Sequence, residues 1–424
     1  MDSVVQSVEK PRTQRRRRRP GSNARLVAIS TYPLYPRQTG GQQRGYELAA
    51  AVGPQLDLDV VTVSLTTSPE FVGSRQLTRY LSEHTLLIDE AAAQRETDLR
   101  LVSSPISVTD IASGLMWAGI EGLSAILAEQ FDHAVGVVLV QPYLVDAAHT
   151  LGAGLPIICD EHNDEWLLKR SMYPRNEGSN WLAAKVDEIE RNGIESAALV
   201  TATTQVDLET LRRRYQFSNS AVVPNGVDTS TIEFVTGADR RRRRMAVAQE
   251  LELDPQKFIA LFVGSGHAPN IDAGRSIIDA AMQIPDAEFL LVGAHSEALQ
   301  RGRLPANVHL LGRVEDELLD LILAGSDLAL NPMHAGSGSN LKLLSYLASG
   351  IPVVSTPVGA RGIDALDAGV HLVELDDLAA GIDEALGAPA AARAFAGRRY
   401  VEQHCDWNAI GRRFAALATD FLLP

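Results

Sequence analysis

The densest chemistry in this 424-residue sequence lies at residues 333–342, which read MHAGSGSNLK. Gly336 and Gly338 flank Ser337, Ser339 follows, and the spacing predicts a helix starting at Asn340. Glycines let backbone N–H groups approach a ligand closely, and a helix start leaves N–H groups unpaired at its positive end. Such a turn can hold a diphosphate. Lys342 falls in the first helical turn, where a cation is poorly placed unless an anion compensates. A plain solvated lysine is the competing reading.

Other candidates sit where predicted strands end. In doubly wound sheets, ligands bind outside the carboxyl ends of the strands. Gly264, His267 and Asn270 follow a strand predicted over 258–263, Gly293 follows one over 287–292, and Arg313 follows Gly312 after one over 308–311. Arg313 either faces phosphate or lies on the surface, and the same two readings hold for His267. Gly40-Gly41 stands in the first loop, directly before a helix, and is either a ligand-approach site or a tight turn. The polar run Asp160-Glu161-His162-Asn163-Asp164 follows an apolar strand. His162 either contacts a sugar or braces the loop. Glu161 and Asp164 either position an acceptor hydroxyl or cap the next helix. No HExxH, P-loop, GxGxxG or paired-histidine spacing is present, so neither a metal site nor a dinucleotide site is indicated.

The elements that must carry these residues alternate. In the first half, strands are expected at 25–30, 58–64, 86–88, 134–140, 155–159, 197–201 and 221–223. Helical patterning covers 42–52, 146–151, 181–193 and 205–215, with a glycine-interrupted tendency over 106–130. Pro224-Asn225-Gly226-Val227-Asp228 is a turn cluster that ends this unit. The pattern then restarts, with strands at 258–263, 287–292, 308–311, 328–330, 351–355 and 370–373. Helices are expected at 245–252, 273–282, 317–324, 340–349, 378–386 and 407–421. The arginine run 240–244 reads as a solvated helix start, with a phosphate site as the lesser alternative. Fold class is therefore α/β, with two doubly wound units facing across a cleft.

Composition narrows the partners. The formal charge of −14 argues against a broad nucleic-acid surface. Two cysteines, Cys159 and Cys405, define no disulfide framework. The basic run at 15–19 has no apolar signal-peptide core after it, so residues 1–23 read as a charged tail or a weak anchor to anionic lipid. This points to a cytoplasmic protein, with contact to the inner face of the membrane as the variant. Nothing in the sequence chooses between monomer and homodimer.

Together these residues resemble the GT-B glycosyltransferases, and within them the retaining family 4 that includes sucrose synthases and bacterial mannosyltransferases. The likeness is carried by Gly40-Gly41 with Arg44, by Pro224-Asn225-Gly226-Val227-Asp228, by Phe262-Val263-Gly264 with Pro269-Asn270, and by GSGSNLKLLSYLASGIPVVSTPVG at 336–359. It spans 25–421. The resemblance implies an acceptor domain at 24–225, a nucleotide-sugar domain at 226–405, and a last segment, 406–424, whose helix crosses back to the first domain. It implies a UDP-, GDP- or other nucleoside-diphosphate sugar as donor, no required cofactor or metal, and a small-molecule, lipid or polysaccharide acceptor. Gly40, Gly41, Arg44, Glu161 and Asp164 would serve the acceptor. Gly264, His267, Asn270, Gly293, Arg313, the turn 336–340, Lys342 and Ser345 would serve the donor. His162, Lys342 and Arg313 would act in the chemistry. Family members have glutamates where Ser337 and Ser345 stand here, the second of which grips ribose. His267 and Asn270 occupy places often held by Arg or Lys, leaving Lys342, or Arg275, to supply the charge. A sugar-nucleotide epimerase of the same fold and a non-catalytic sugar- or partner-binding descendant are the alternatives.

Overall fold

The computed structural model describes residues 24–103, 107–300, 304–335, 341–387 and 390–422. The basic tail 1–23 and the turn Gly336, Ser337, Gly338, Ser339 and Asn340 lie outside the described residues. Buried apolar runs such as Ala134–Val140 form strands covered on both faces, which is what a parallel sheet requires. The first sheet has eight strands: β1 (Arg25–Ser30), β2 (Asp59–Thr66), β3 (Gly73–Gln76), β4 (Leu81–Leu87), β5 (Ala134–Val140), β6 (Ile157–Glu161), β7 (Leu199–Ala202) and β8 (Ser220–Val222). Their order is β3-β4-β2-β1-β5-β6-β7-β8, all parallel except the β3–β4 hairpin. The second sheet is wholly parallel and has six: β9 (Phe258–Val263), β10 (Ala287–Val292), β11 (Val308–Gly312), β12 (Leu328–Asn331), β13 (Val353–Ser355) and β14 (His371–Leu372). Its order is β11-β10-β9-β12-β13-β14.

Strand order reverses between β1 and β5 in one sheet and between β9 and β12 in the other. At such switch points the connections diverge and leave a crevice. The chain crosses between the sheets at two strands of backbone lying side by side. Val227 N donates to Cys405 O (2.8 Å), and Trp407 N donates to Val227 O (3.2 Å). A Cβ on Gly226 would stand 2.7 Å from Trp407 and 2.9 Å from Cys405 O, so the crossing needs glycine there. The last helix, Trp407–Leu422, buries Trp407, Ile410, Phe414, Ala418 and Leu422 at helical spacing. That stripe joins the core under β1 and packs on helix Gly40–Leu56, with Gly411 against Ala51. Among the described residues, no single helix is long and apolar enough to cross a membrane.

Several local expectations are corrected. The helical tendency over 106–130 divides into Thr109–Met116 and Leu123–Phe131, because Gly122 takes φ +77° between them. Helices Glu90–Ser103, Glu165–Met172 and Ala390–His404 and strand β3 were not anticipated from the pattern. The arginine run lies near the start of helix Gly237–Glu250, and Arg241, Arg242 and Arg243 are exposed as expected, but Arg240 is an exception at 6% exposed. Its guanidinium donates to Leu323 O (3.1 Å), Ala324 O (3.3 Å), Ser326 O (2.7 Å), Val235 O (2.5 Å) and Ser349 O (2.7 Å). All but Val235 O close helices Asp316–Gly325 and Leu341–Ser349, so the cation sits at two negative helix ends. Burial pushes the Arg240 pKa down to about 10, against the opposing pull of Asp327. Replacing Arg240 with Leu strands these buried carbonyls, and urea denaturation should show a loss of about 2–4 kcal/mol. A loss below about 0.5 kcal/mol would remove Arg240 from this structural role.

Candidate functional site

Asp160 is the penultimate residue of β6, beside the first switch point. Its carboxylate is 2% exposed and takes both arms of Arg44: Nε at 2.9 Å and Nη2 at 2.5 Å. Thr201 Oγ1 donates to Asp160 Oδ1 at 2.6 Å. Burial alone would raise this carboxyl, but the Arg44 charge and the His162 contact outweigh it and hold the group well below the usual carboxylate range. His162 Nε2 lies 3.2 Å from Asp160 Oδ2, and His162 Nδ1 lies 3.3 Å from the Tyr32 hydroxyl. The carboxylate fixes the proton on Nε2, leaving Nδ1 as an acceptor toward the cleft side. Arg44 also donates to Val223 O (2.7 Å), Pro224 O (3.3 Å) and Asn225 Oδ1 (3.2 Å). One buried cation thus ties helix Gly40–Leu56, the β6 end and the linker.

A cleft of about 280 Å³ opens here, lined by Tyr32, Gly41, Gln141, His162, Asn163 and, from the second unit, Leu341 among others. A larger open hollow of about 400 Å³ lies between Arg170 and Ala183. The cleft, not the hollow, holds the switch-point residues, and the site is placed there. Gly40 and Gly41 begin helix Gly40–Leu56 behind the cap Thr39, whose side chain accepts from Gln42 N. A Cβ on Gly40 would stand 2.5 Å from Leu341, and one on Gly41 would stand 2.7 Å from the Tyr32 hydroxyl. The helix from Leu341 therefore starts against the helix from Gly40. Neither has an acid in its first turn, so two positive helix ends face one space without a compensating charge.

Lys342 lies at that same start. Its ammonium contacts Asn270 Oδ1, stands 4.3 Å from the centre of the Phe262 ring and 3.9 Å from Met333 Sδ. No acidic group pairs with it among the described residues. Burial pushes its pKa down to about 7. Asn270 sits in the first turn of helix Ala268–Ala281, which also lacks an acid there. Ser345, one turn beyond Leu341, lies half-buried on the same side of its helix. Gly264 and Gly293 are packed backbone to backbone: a Cβ on Gly293, at φ +113°, would strike Gly264 O. His295 Nδ1 lies 2.8 Å from Gly264 O and braces that loop.

Other expected residues fall differently. His267 is an exposed helix cap, and Arg313 is exposed with no hydrogen bond or ion pair among the described residues. Arg275 pairs with Asp272 at 2.5 Å, not with the cleft. Asp164 caps helix Glu165–Met172 through Leu167 N (2.8 Å) and pairs with Arg214 (2.6 Å). Glu161 has no exposed surface. Strand alternation turns it away from Asp160, toward Cys159, whose thiol donates to it at 3.2 Å. Burial and the neighbouring Glu190 and Glu165 push its pKa well up. An acceptor in the cleft has no route to it. Among the described residues, no group of three or more His, Cys, Asp or Glu could hold a metal ion.

Tyr32, Gln141, Asn163, Asn225 and Leu341 line the cleft without having been singled out for it. Gln141 carries the plainest structural signal, with φ 70° and ψ 159° on a non-glycine residue. Such backbone costs of order 1–3 kcal/mol and persists only where its surroundings enforce it. Its sequence signal is the dipeptide Gln141-Pro142 at the end of an apolar strand, where the proline biases the backbone of residue 141 away from the helical region.

This geometry can be set beside known proteins. Residues 257–388 match the family described as Glycosyl transferases group 1. Sucrose-phosphate synthase from Thermosynechococcus elongatus superposes with a TM-score of 0.68 at 16% identity, covering 93% of this chain and 98% of that one. HepE of Anabaena, solved with UDP, gives 0.66 at 13% identity over 93% and 100%. WaaG, a glycosyltransferase of lipopolysaccharide biosynthesis, gives 0.62 at 18% identity over 93% and 99%. The fold is GT-B. Among curated proteins, the phosphatidyl-myo-inositol mannosyltransferase of Mycobacterium tuberculosis is 28% identical over 187 residues, 41% of this chain. That match takes in 45% of the relative's length. In this GT-B chain the cleft lies where the two switch points face each other.

The Lys342 shift has a sign that stability measurements can read. Its folded pKa is lowered to about 7 from 10.5, so the unfolded chain binds more protons between those values. The penalty is therefore full below pH 7 and fades as pH rises toward 10.5. Lys342→Met should raise Tm most at pH 6 and hardly at pH 10. An equal effect at both would show that the ammonium is not buried.

Proposed function

We propose that the chain transfers a sugar from a nucleoside-diphosphate sugar to an acceptor hydroxyl, with retention and without a metal ion. The observation that carries this reading is Lys342, a partly buried cation lacking an acidic partner among the described residues, beside two facing helix starts. A diphosphate supplies the missing negative charge. Residues 226–405 would hold the donor and 24–225 the acceptor, with 406–424 closing back on the first unit. Solved structures of this fold in complex with UDP and UDP-glucose support a nucleotide sugar as the ligand. The likeness to a mannosyltransferase fits a hexosyl donor.

As the sugar–phosphate bond breaks, charge grows on the leaving diphosphate. Lys342, the N–H groups of Gly338 and Ser339, and Arg313 would offset it, an effect worth several kcal/mol in a water-poor cleft. Gly264 and Gly293 let the backbone come close, while His267, Asn270, Gly336, Ser337 and Asn340 complete the donor loop. Ser345 would meet the ribose through its hydroxyl. His162 would take a sugar hydroxyl at Nδ1, replacing Tyr32. The acceptor would enter over Gly40 and Gly41 and attack on the face the diphosphate leaves, as the resemblance implies. Lys342 and the helix starts would offset that charge in place of a metal ion. The five arginines at 15–19 would draw the protein to anionic lipid on the cytoplasmic face.

Saturation-transfer NMR against UDP-, GDP-, ADP- and TDP-sugars tests this directly. One base should dominate, and Lys342→Ala should weaken its binding about ten- to hundredfold, the worth of a charge-assisted contact. Silence from all four in well-folded protein would end the donor-site reading.

A further inference from the structure

The Gln141 side chain has an orientation that its surroundings dictate. Its Nε2 donates to Glu165 Oε1 at 3.1 Å, and Asn163 Nδ2 donates to the same oxygen at 3.1 Å. A carboxylate oxygen only accepts, so the Gln141 NH2 must face Glu165 and its carbonyl Oε1 must face away. That carbonyl has no hydrogen-bond partner among the described residues, and the residue lines the cleft beside His162. Glu165 is itself held. It is 1% exposed, its Oε2 accepts from Tyr143 Oη at 2.7 Å, and its backbone N donates to Glu190 Oε1 at 2.6 Å.

The backbone is enforced as firmly. Gln141 N donates to Asp160 O at 3.2 Å. Pro142 is wedged under Gly193, where a Cβ would stand 2.9 Å from it, and Tyr143 O is pressed by Gly114. A left-handed φ kept at a cleft by this much packing marks a side chain that must point one way. Among the described residues the cleft wall is otherwise hydroxyl, amide, imidazole and guanidinium, with Leu341 its one aliphatic side chain. Its volume, about 280 Å³, lies at the small end of ligand sites, which run from roughly 300 Å³ upward. It suits one ring rather than a large apolar aglycone.

We propose that Gln141 is a specificity-determining residue, whose carbonyl, turned into the cleft by Glu165, accepts a hydrogen bond from a second hydroxyl of a polyhydroxylated ring acceptor. This deepens the transferase reading and rests on it. A site built to accept from a hydroxyl rejects analogues lacking that hydroxyl strongly, because its own polar atom is left unpaired. Glu165 acts through Gln141 as a positioning residue.

The test uses the full chain with UDP present and three probes read by saturation-transfer NMR: glucose, myo-inositol, and cyclohexanol as a ring with one hydroxyl. At least one polyol should bind and cyclohexanol should not. Gln141→Met should lower the polyol affinity at least fivefold while UDP binding and Tm stay unchanged. Gln141→Gly, which relieves the backbone, should fold at least as well and show the same loss. Glu165→Gln should weaken polyol binding in the native background and add nothing in the Gln141→Met background, a pattern that general loosening of the fold would not give. Equal polyol binding by wild type and Gln141→Met, silence from both polyols, or cyclohexanol binding as well as they do would overturn the proposal. Failure of UDP to bind wild type counts against the transferase reading alone, since the polyol comparison is scored separately.

Discussion

The ion pair between Arg44 and Asp160 is the contact on which the first unit's working end depends. Both side chains are nearly fully buried, so neither can fall back on water. Removing one partner of such a pair costs about 3–5 kcal/mol, because the other is left charged and dry. The geometry uses both arms of the guanidinium, which lysine could not supply. Asp160 in turn sets the tautomer of His162, and Arg44 holds the carbonyls of Val223 and Pro224. The linker is thus fixed to the first unit as far as Asn225. A rotation of the second sheet that spares these bonds must begin after it, at Gly226 and Val227, where the two crossing segments meet.

The second unit solves a different electrostatic problem. Helix Leu341–Ser349 points its start at the cleft and its end at the protein interior. Its last carbonyls are taken by two arginines: Ser349 O by Arg240 and Ala348 O by Arg398 at 2.8 Å. Cations at the negative end stabilise a helix; a cation at the positive end does not. Lys342 is therefore the one residue of this helix whose placement opposes the dipole, and it is also partly buried. The charge at 240 that looked superficial in sequence supports the helix, and the charge at 342 that opposes it lies against Asn270, Met333 and Phe262.

What the sequence revealed and what it concealed divide along physical lines. Strands buried on both faces, such as 134–140, 258–263 and 287–292, were readable to the residue, because an unbroken apolar run leaves little freedom. The last helix was readable because its apolar stripe is regular. The misfit of Lys342 was readable because helix dipoles have a fixed sign. Burial of single charged residues was not. Arg240 sits in a run of five like charges, and only the fold shows that one of them turns inward to meet carbonyls from distant segments. Glu161 and Asp160 are neighbours with equal charge, and strand alternation sends one to Arg44 and the other to Cys159. Gln141 was illegible for the same reason. Its orientation is set by Glu165 and by glycines on two helices, none of them near it in sequence.

The serines at 337 and 345 then take on a consistent meaning. The resembling family places glutamates at both positions; Ser345 brings no negative charge onto the helix that carries Lys342, and Ser337 lies outside the described residues. The described surroundings of Lys342 are an amide, a thioether and a phenyl ring, with the His295 imidazole near enough to feel its charge. The lysine pKa falls to about 7 as a result of burial with nothing to oppose it. On the proposed function, a bound diphosphate would restore the opposing charge and raise that pKa, so binding near neutral pH would draw a proton onto Lys342. A ribose contact reduced to the Ser345 hydroxyl would be weaker than one to a carboxylate, and a stronger pull on the diphosphate would offset it. Selectivity for the sugar's nucleotide would then rest less on the ribose and more on phosphate charge.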